Sequence, residues 1–237
     1  MKDRLHCPKV TVTIPTFNSA RWIAKCLDSV CLQNYSNIET IVMDGGSSDQ
    51  TTDIASGFRN VNVYVSKESL LSARILGVEK ASGTYILLLD SDQILTPRAI
   101  ERCVENMADC RMLCLGESVF NPRTFTQKLL GASKTVSQLN LNRYLNPFSG
   151  LLIPRFFEAS LLKQAIRSIP SGIISRVFDR DHQILFLESW KIDKRVEFVD
   201  DAIFHQQVGM VVVGRGHHVR ILNQSPHKLI PSLEFPC

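Results

Sequence analysis

Two aspartates, Asp90 and Asp92, stand one residue apart directly after the most apolar run of the chain, residues 85–89. Side chains two residues apart in an extended segment point to the same side, so these carboxylates can converge on one ligand. Carboxylate oxygens suit a hard divalent cation such as Mg²⁺ or Mn²⁺, and the chemistry would then involve a metal and a phosphate. The alternative is an acidic pair that stays solvated where a strand turns. The pair by itself leaves both interpretations open.

The run that precedes this pair predicts the strand that positions it. Residues 85–89 are apolar and follow Ser82 and Gly83, which is typical of an interior parallel strand. Ligands of open α/β sheets collect beyond the carboxyl ends of such strands. Asp90 and Asp92 are therefore expected at the binding edge of a sheet.

The rest of the chain alternates short β-branched runs with segments of helical period, which indicates a parallel sheet flanked by helices. A helix is expected to start at Asn18 or Ser19, and another at Thr96 as N-cap with Pro97 as its first residue. Asp49 is interpreted as a further N-cap. The other predictions are strands 10–14 (broken at Pro15), 38–43, 61–65, 85–89, 112–115, 196–199 and 202–205, helices 69–81, 158–166 and 181–190, and mainly a loop at 117–150.

Length and composition limit the class of protein. The 237 residues, 44% of them hydrophobic, can bury one core or one core with a smaller lobe. The formal charge of +4 is spread along the chain without the dense basic runs of a nucleic-acid binder. Seven cysteines without a C-x-x-C pair indicate reduced, packing cysteines. Since there is no signal-peptide core and no apolar stretch near the ~18 residues of a spanning helix, we expect a cytoplasmic protein.

Five short motifs follow one another in the first half of the chain. Together they resemble the nucleotide-sugar half of a family 2 glycosyltransferase with the GT-A fold. The resemblance covers residues 10–98 and continues more weakly to residue 205. The motifs are V-T-I-P-T-F-N at 12–18, V-M-D-G-G-S-S-D at 42–49, S-A-R-I-L-G at 72–77, A-S-G-T-Y-I at 81–86 and D-S-D at 90–92.

The resemblance implies one GT-A-like α/β domain over residues 1–237, with a mixed, mainly parallel sheet and a Rossmann-like nucleotide-binding half. Residues 9–116 would bind the nucleotide sugar, 117–207 the acceptor, and 208–237 would form a tail. The implied reaction transfers a hexosyl or N-acetylhexosaminyl group from a nucleoside diphosphate sugar to a saccharide or lipid-linked acceptor, with a divalent metal and with inversion. The Q-x-x-R-W signature of processive synthases is absent, so one transfer per encounter is expected.

The resemblance assigns the residues after the first two strands to the nucleotide. Pro15, Thr16 and Phe17 end the first strand, where backbone groups and an aromatic ring can line a slot for a flat base. Asp44 ends the second strand and can accept a hydrogen bond from a base N–H. The alternative for Asp44 is a cap of the turn at residues 45–46, and base contact is the favoured interpretation.

The resemblance implies that Arg74 faces the nucleotide, and a guanidinium fork suits phosphate or ribose oxygens. A surface salt bridge is the alternative for this arginine. The family usually has Asn at the next position, where this chain has Ile75, so one polar contact is lost.

The metal site follows from the same resemblance. Asp92 is predicted as a direct ligand, and Asp90 acts directly, through water or on the ribose. Ser91 between them is assigned to the nucleotide sugar. His205 resembles the histidine that completes the metal site, with a structural hydrogen bond as its alternative role.

The acceptor hydroxyl needs a general base, and Asp179 is the first candidate. The family's usual Glu-Asp pair is Phe178-Asp179 here, and the phenyl ring could raise the pKa of the carboxyl by desolvation. Asp181 is the alternative base or a helix cap, and His182 could substitute.

Other functions fit the residues less well. A haloacid-dehalogenase-type phosphatase shares a strand followed by Asp-x-Asp but not the surrounding motifs, and a nucleotidyltransferase would need a Gly-rich basic loop after the first strand. A non-catalytic nucleotide-sugar sensor or partner subunit stays open because of Ile75 and Phe178. The apolar and then basic stretch at 208–218 either packs on the sheet, which we favour, or contacts a membrane surface as a peripheral element.

Overall fold

The computed structural model describes residues 7–119, 153–174, 181–206, 210–213 and 219–222. The chain divides after Gln206 into two compact units. The larger unit contains an eight-stranded sheet with helices on both faces. The smaller unit contains, in its described part, two antiparallel strands, Met210–Val213 and Val219–Leu222.

Strands and helices alternate along the larger unit. Its first elements are β1 (Val10–Thr16), α1 (Ile23–Cys31), β2 (Ile38–Asp44), α2 (Thr51–Ser56), β3 (Val61–Val65), α3 (Leu70–Lys80), β4 (Tyr85–Leu88), β5 (Gln93–Leu95) and α4 (Ala99–Glu105). The described elements that follow are β6 (Met112–Val119), β7 (Pro154–Glu158), α5 (Ala159–Arg167), α6 (Ser171–Ile174), α7 (Asp181–Ile192) and β8 (Val196–His205).

The sheet has the strand order β3-β2-β1-β4-β7-β6-β8-β5. Strands β3, β2, β1 and β4 are parallel neighbours, and β6 is parallel to β8. Strand β7 is antiparallel to β4 and β6, and β5 is antiparallel to β8. The mixed, mainly parallel sheet expected from the sequence is confirmed. The carboxyl ends of β1, β2 and β4 meet at one edge, where β4 leads into Asp90.

The central strand β4 has no solvent-facing side, which explains its unbroken apolar sequence. Leu87 packs in a cluster with side chains of α1 and α4, whereas Ile86 and Leu88 pack with α3, α5 and α7. All three are fully buried, and each contributes about 1.5–3 kcal/mol of hydrophobic stabilisation. Helix α3 therefore lies on the face of the sheet to which Ile86 and Leu88 point. The helix begins after Ser69, whose side chain caps it.

The structure corrects several expected boundaries. Pro15 does not break β1, because the pairing of β1 with β4 already ends at Thr13 and a missing N–H beyond that point costs no ladder hydrogen bond. Helix α1 begins at Ile23 rather than at Asn18 or Ser19, since Asn18 adopts a left-handed backbone with φ of 47°.

Two more helix starts also differ from the sequence interpretation. Helix α4 has Arg98 at its N-cap instead of Thr96. The N-cap of α2 is Gln50, although Asp49 does accept a hydrogen bond from the Thr51 backbone N–H at 3.0 Å. Near the carboxyl end, the two strands expected at 196–199 and 202–205 form one strand, β8. Most of the predicted loop at 117–150 lies outside the described residues, and residues 117–119 extend β6.

Gly83 allows the turn before β4 to approach β1 closely. A Cβ at this position would lie 2.7 Å from the Thr11 nitrogen and 2.8 Å from the Lys9 oxygen, closer than side chains tolerate. We expect Gly83→Ala to lower the free energy of unfolding by about 1–3 kcal/mol, because the backbone must move apart. Gly172→Ala is the matched control, since a Cβ there meets nothing within 4 Å. Urea unfolding of both variants measures the difference, and equal stability would contradict the close approach.

Candidate active site

Arg74 is the largest fully buried side chain of the described residues, with 2% of its surface exposed. It projects from α3, and its Nε donates to Asp181 while its Nη2 donates to Asp90. A buried guanidinium requires such carboxylate partners, because an unpaired charge in the core costs several kcal/mol. The alternative role as a surface salt bridge is therefore wrong. The Nη1 atom of Arg74 is buried and has no hydrogen-bond partner among the described residues.

Asp90 is the meeting point of two arginines. Its Oδ1 accepts from Arg74, and its Oδ2 accepts from Arg155 Nη1 at 3.1 Å. His182 Nε2 lies 3.3 Å from Oδ1. Burial would raise the pKa of this carboxyl, but Arg74 and Arg155 hold the pKa well below its usual range. The two arginines thus favour the ionised form of Asp90, and both of its oxygens are engaged by side chains.

Arg155 and Glu117 were not singled out from the sequence, yet they extend this network. Arg155 on β7 donates through Nε to Glu117 Oε1 at 2.7 Å, and Glu117 on β6 contacts His205 Nε2 through Oε2 at 2.7 Å. Arginine beside the apolar pair Phe156 and Phe157 was the available signal, because a charge inside a buried strand needs a partner.

Asp92 and His205 are brought together by the pairing of β5 with β8. Gln93 is the partner of His205 in that pairing, and the Gln206 N–H donates to the Asp92 carbonyl at 2.8 Å. Burial and the neighbouring Asp90 raise the pKa of the Asp92 carboxyl, whereas His205 and Arg155 lower it. No side chain of another described residue donates a hydrogen bond to this carboxylate. A cation beside Asp92 would stabilise its charged form.

The side chains at this edge supply only some of the ligands that a divalent metal requires. Within the described residues, no cluster of three histidine, cysteine or acidic side chains has the geometry to hold a metal ion. Asp92 offers carboxylate oxygens and His205 a ring nitrogen, while the oxygens of Asp90 are engaged by arginines. Such a set fits a divalent cation that takes its other ligands from phosphate oxygens and water, as Mg²⁺ commonly does.

The residues predicted to bind the base lie at the ends of β1 and β2. Pro15 and Thr16 are buried, whereas the Phe17 ring is 45% exposed. The ring lies against Gly45, where a Cβ would come within 3.2 Å of Phe17 Cδ2. An exposed aromatic face beside bare backbone is suited to stacking a flat ring.

The Asp44 carboxylate is directed into the turn that follows it. Its Oδ2 accepts from the backbone N–H groups of Gly46 and Ser47 at 3.0 and 2.8 Å, and its Oδ1 accepts from the Ser47 hydroxyl. The side chain is 1% exposed. The capping role, which was the alternative interpretation, is therefore present in the structure, and base contact stays a prediction.

Ser91 lies between the two aspartates, and its hydroxyl is 3.0 Å from that of Ser19. The backbone carbonyl of Ser19 accepts a hydrogen bond from the Ile23 backbone N–H at the start of α1. The motif is thereby tied to the turn after β1, where Phe17 lies. Contact of Ser91 with a nucleotide sugar stays a prediction.

Of the two candidate bases, Asp181 lies in the described part of the chain and Asp179 does not. Asp179 and Phe178 lie outside the described residues. Asp181 is 4% exposed and bound to Arg74. Although burial raises the pKa of Asp181, Arg74 lowers it further, so the net shift is downward and the carboxylate is a weak base.

His182, the third candidate, is also held in the network. Burial and the two arginines lower its pKa, so the ring is neutral at pH 7. Its Nε2 lies 3.0 Å from Arg155 Nη1, and its Nδ1 is buried without a partner among the described residues.

The mixed α/β fold, with Asp90 and Asp92 at the carboxyl edge of its sheet (the acidic edge), defines a GT-A-like protein. The model of "Glycosyl transferase family 2" matches residues 11–149, and the chain belongs to this family. A curated relative, glycosyltransferase GlyA of Streptococcus pneumoniae serotype 4, is 34% identical over 110 residues. That match covers 43% of this chain and 16% of GlyA, so the chain spans well under two thirds of this relative's length.

Solved structures show the same fold. S. aureus TarS 1-349 in complex with UDP-GlcNAc superposes with a TM-score of 0.66 at 18% identity, covering 85% of this chain and 59% of that one. Mannosyltransferase PcManGT from Pyrobaculum calidifontis, in complex with GDP-Man and Mn²⁺, superposes with a TM-score of 0.58 at 22% identity, covering 83% and 56%. The GT-A fold expected from the sequence is confirmed.

Among the helices in the described part of the chain, none combines the length and the apolar character that crossing a membrane requires.

Replacing Arg74 tests its central position. We expect Arg74→Met to lower the free energy of unfolding by about 3–5 kcal/mol, because Asp90 and Asp181 would each lose a buried cationic partner. Arg98→Met is the matched control, since Arg98 pairs with Glu101 on the exposed surface of α4 and should leave stability nearly unchanged. Urea unfolding at pH 7 measures both, and similar losses would contradict the assigned role of Arg74.

Proposed function

We propose that this chain transfers a hexosyl or N-acetylhexosaminyl group from a nucleoside diphosphate sugar to an acceptor hydroxyl, with a divalent metal at Asp92. The observation that carries the proposal is the Asp92 carboxylate, which lies beside His205 at the carboxyl edge of the sheet and receives no side-chain hydrogen bond from the other described residues. Family membership supports the reaction class.

The nucleotide would occupy the edge next to Phe17. The exposed ring supplies a stacking face, and the turn after Asp44 supplies backbone groups beside it. Arg74 has a buried Nη1 without a partner in the described chain, and a ribose or phosphate oxygen could accept from it. We therefore propose six nucleotide-sugar residues: Pro15, Thr16, Phe17, Asp44, Arg74 and Ser91.

The metal would be Mn²⁺ or Mg²⁺, held by Asp92 and His205. When bound, it would neutralise the charge that develops on the leaving diphosphate. Asp90 would serve as the anion that fixes Arg74 and Arg155, and any metal contact of Asp90 would pass through water. Support comes from the donor chemistry of the two side chains and from PcManGT, whose structure contains Mn²⁺.

The general base would be Asp179, because Asp181 is bound to Arg74. A single base opposite the leaving group suits direct displacement with inversion, and we propose one transfer per encounter. We further propose a saccharide or lipid-linked acceptor and a cytoplasmic location, with peripheral membrane contact as the less favoured alternative. The TarS and PcManGT structures are complexes with UDP-GlcNAc and GDP-Man, so sugars of both nucleotides are tested as donors.

A donor screen tests the proposed reaction. The protein is incubated with Mn²⁺ and UDP-, GDP- and dTDP-sugars, and release of nucleoside diphosphate is measured with and without EDTA. We expect one donor class to be used, and we expect Asp92→Asn to lower turnover at least about a hundredfold, because metal stabilisation of the leaving group contributes several kcal/mol. Asp200→Asn, an exposed acid on β8, is the matched control.

Three outcomes would argue against this function. Turnover that is unaffected by EDTA and by Asp92→Asn would remove the metal from the mechanism. Donor binding without turnover across varied acceptors would favour a sensor. Release of inorganic phosphate from monoesters would favour a phosphatase.

The assignment of the base is tested separately with two variants. Asp179→Asn should lower kcat about 10²–10⁴-fold while nucleotide affinity is retained, because only proton removal is lost. Asp181→Asn should instead lower the free energy of unfolding, because Arg74 would lose a buried anion. Single-turnover rates, nucleotide titration and urea unfolding distinguish the two. An Asp181→Asn variant with normal stability and no turnover would reverse the assignment.

A further inference from the structure

Glu117 lies between Arg155 and His205, next to the proposed metal site. Its side chain is 19% exposed, and its two oxygens have different partners. Oε1 accepts from Arg155 Nε at 2.7 Å, and Oε2 lies 2.7 Å from His205 Nε2. Arg155 in turn donates to Asp90. The carboxylate is therefore held at both ends, and its direction towards the histidine ring is fixed by an arginine whose side chain is only 11% exposed.

A shift of register creates this contact. Leu115 of β6 pairs with Val199 of β8, but Glu117 pairs with Ile203, so two steps along β6 correspond to four along β8. An unshifted pairing would place Asp201 opposite Glu117. The shift brings His205 opposite Val119, within reach of the Glu117 side chain. Irregularities of this kind redirect side chains and are frequent beside active sites.

The chemistry of the pair decides which ring nitrogen carries the proton. An ionised carboxylate can only accept hydrogen bonds, and the guanidinium of Arg155 favours the ionised form of Glu117. The hydrogen bond between Glu117 and His205 therefore requires a proton on Nε2. In a neutral imidazole the lone pair is then on Nδ1, which is the nitrogen left for a metal.

We propose that Glu117 is a positioning residue that fixes the orientation and tautomer of His205, so that Nδ1 is the nitrogen that binds the divalent cation shared with Asp92. This inference rests on the metal dependence of the proposed function. Acidic partners of metal-binding histidines have this effect in other sites, and their loss weakens metal affinity about 10–100-fold.

The tautomer is measured first, without metal. Long-range ¹⁵N–¹H correlation spectra of ¹⁵N-histidine-labelled protein at pH 8 distinguish the two neutral tautomers, and His205→Gln identifies the signal. We expect the Nε2–H form in the wild type and partial conversion to the Nδ1–H form in Glu117→Gln, whose amide can also donate. Glu158→Gln is the matched control, because it removes a Glu–Arg pair with Arg111 elsewhere on the sheet. A wild-type Nδ1–H tautomer would overturn the inference even if Glu117→Gln failed to fold.

Metal affinity is measured second. Titration with Mn²⁺ at saturating UDP should give an affinity about 10–100-fold weaker in Glu117→Gln than in the wild type, and an unchanged affinity in Glu158→Gln. UDP affinity without metal should be equal in all three proteins. Equal Mn²⁺ affinity in Glu117→Gln and the wild type overturns the positioning role and leaves the transferase function intact. A wild type that binds UDP but no Mn²⁺ overturns both this inference and metal dependence, whereas a protein that uses no donor overturns the proposed reaction itself.

Discussion

The buried charge of Arg74 is the constraint on which the site depends. A guanidinium inside the core is tolerated only with carboxylate partners, and Asp90 and Asp181 supply them from the end of β4 and the start of α7. Because these two elements belong to different halves of the chain, the ion pairs join the first half to the half that follows it. Asp90 and Asp181 therefore reach Arg74 only when the two halves pack against each other.

Arg74 and Arg155 give Asp90 a different environment from that of Asp92. Asp90 is surrounded by Arg74 and Arg155, so its charge is compensated inside the protein. Asp92 lies two residues further on, and burial and its acidic neighbour raise its pKa. A carboxylate in this condition gains most from an added cation. The same motif therefore contains one internal counterion and one residue available to a ligand.

The mixed strand directions of the sheet make this arrangement possible. Strand β7 lies between β4 and β6 and carries Arg155 to Asp90, while β8 lies beside β6 and carries His205 to Glu117. A strand β7 parallel to β4 would have directed Arg155 to another position, whereas the contact between His205 and Glu117 arises within the parallel pair β6 and β8. The connected chain of hydrogen bonds from Asp90 through Arg155 and Glu117 ends beside Asp92, so a change at one member is expected to affect the others.

Local patterns in the sequence were sufficient for the α/β class, the succession of strands along the chain up to β4, the buried character of residues 85–88 and the position of the acidic pair at a strand end. Those properties depend on hydrophobic period and turn residues, which act over a few positions. The continuation of β1 through Pro15, the register shift in β8 and the network of Arg155 and Glu117 were not accessible in this way. Arg155 is 65 residues from Asp90 and Glu117 is 88 from His205, so only the pairing of distant strands brings them together. Sequence determined which faces are buried and where the Asp90–Asp92 motif lies. Tertiary structure decided which charges meet. The reason is that alternation fixes the side of the sheet on which a side chain lies, whereas a slip of two residues between neighbouring strands changes its partners without changing that side.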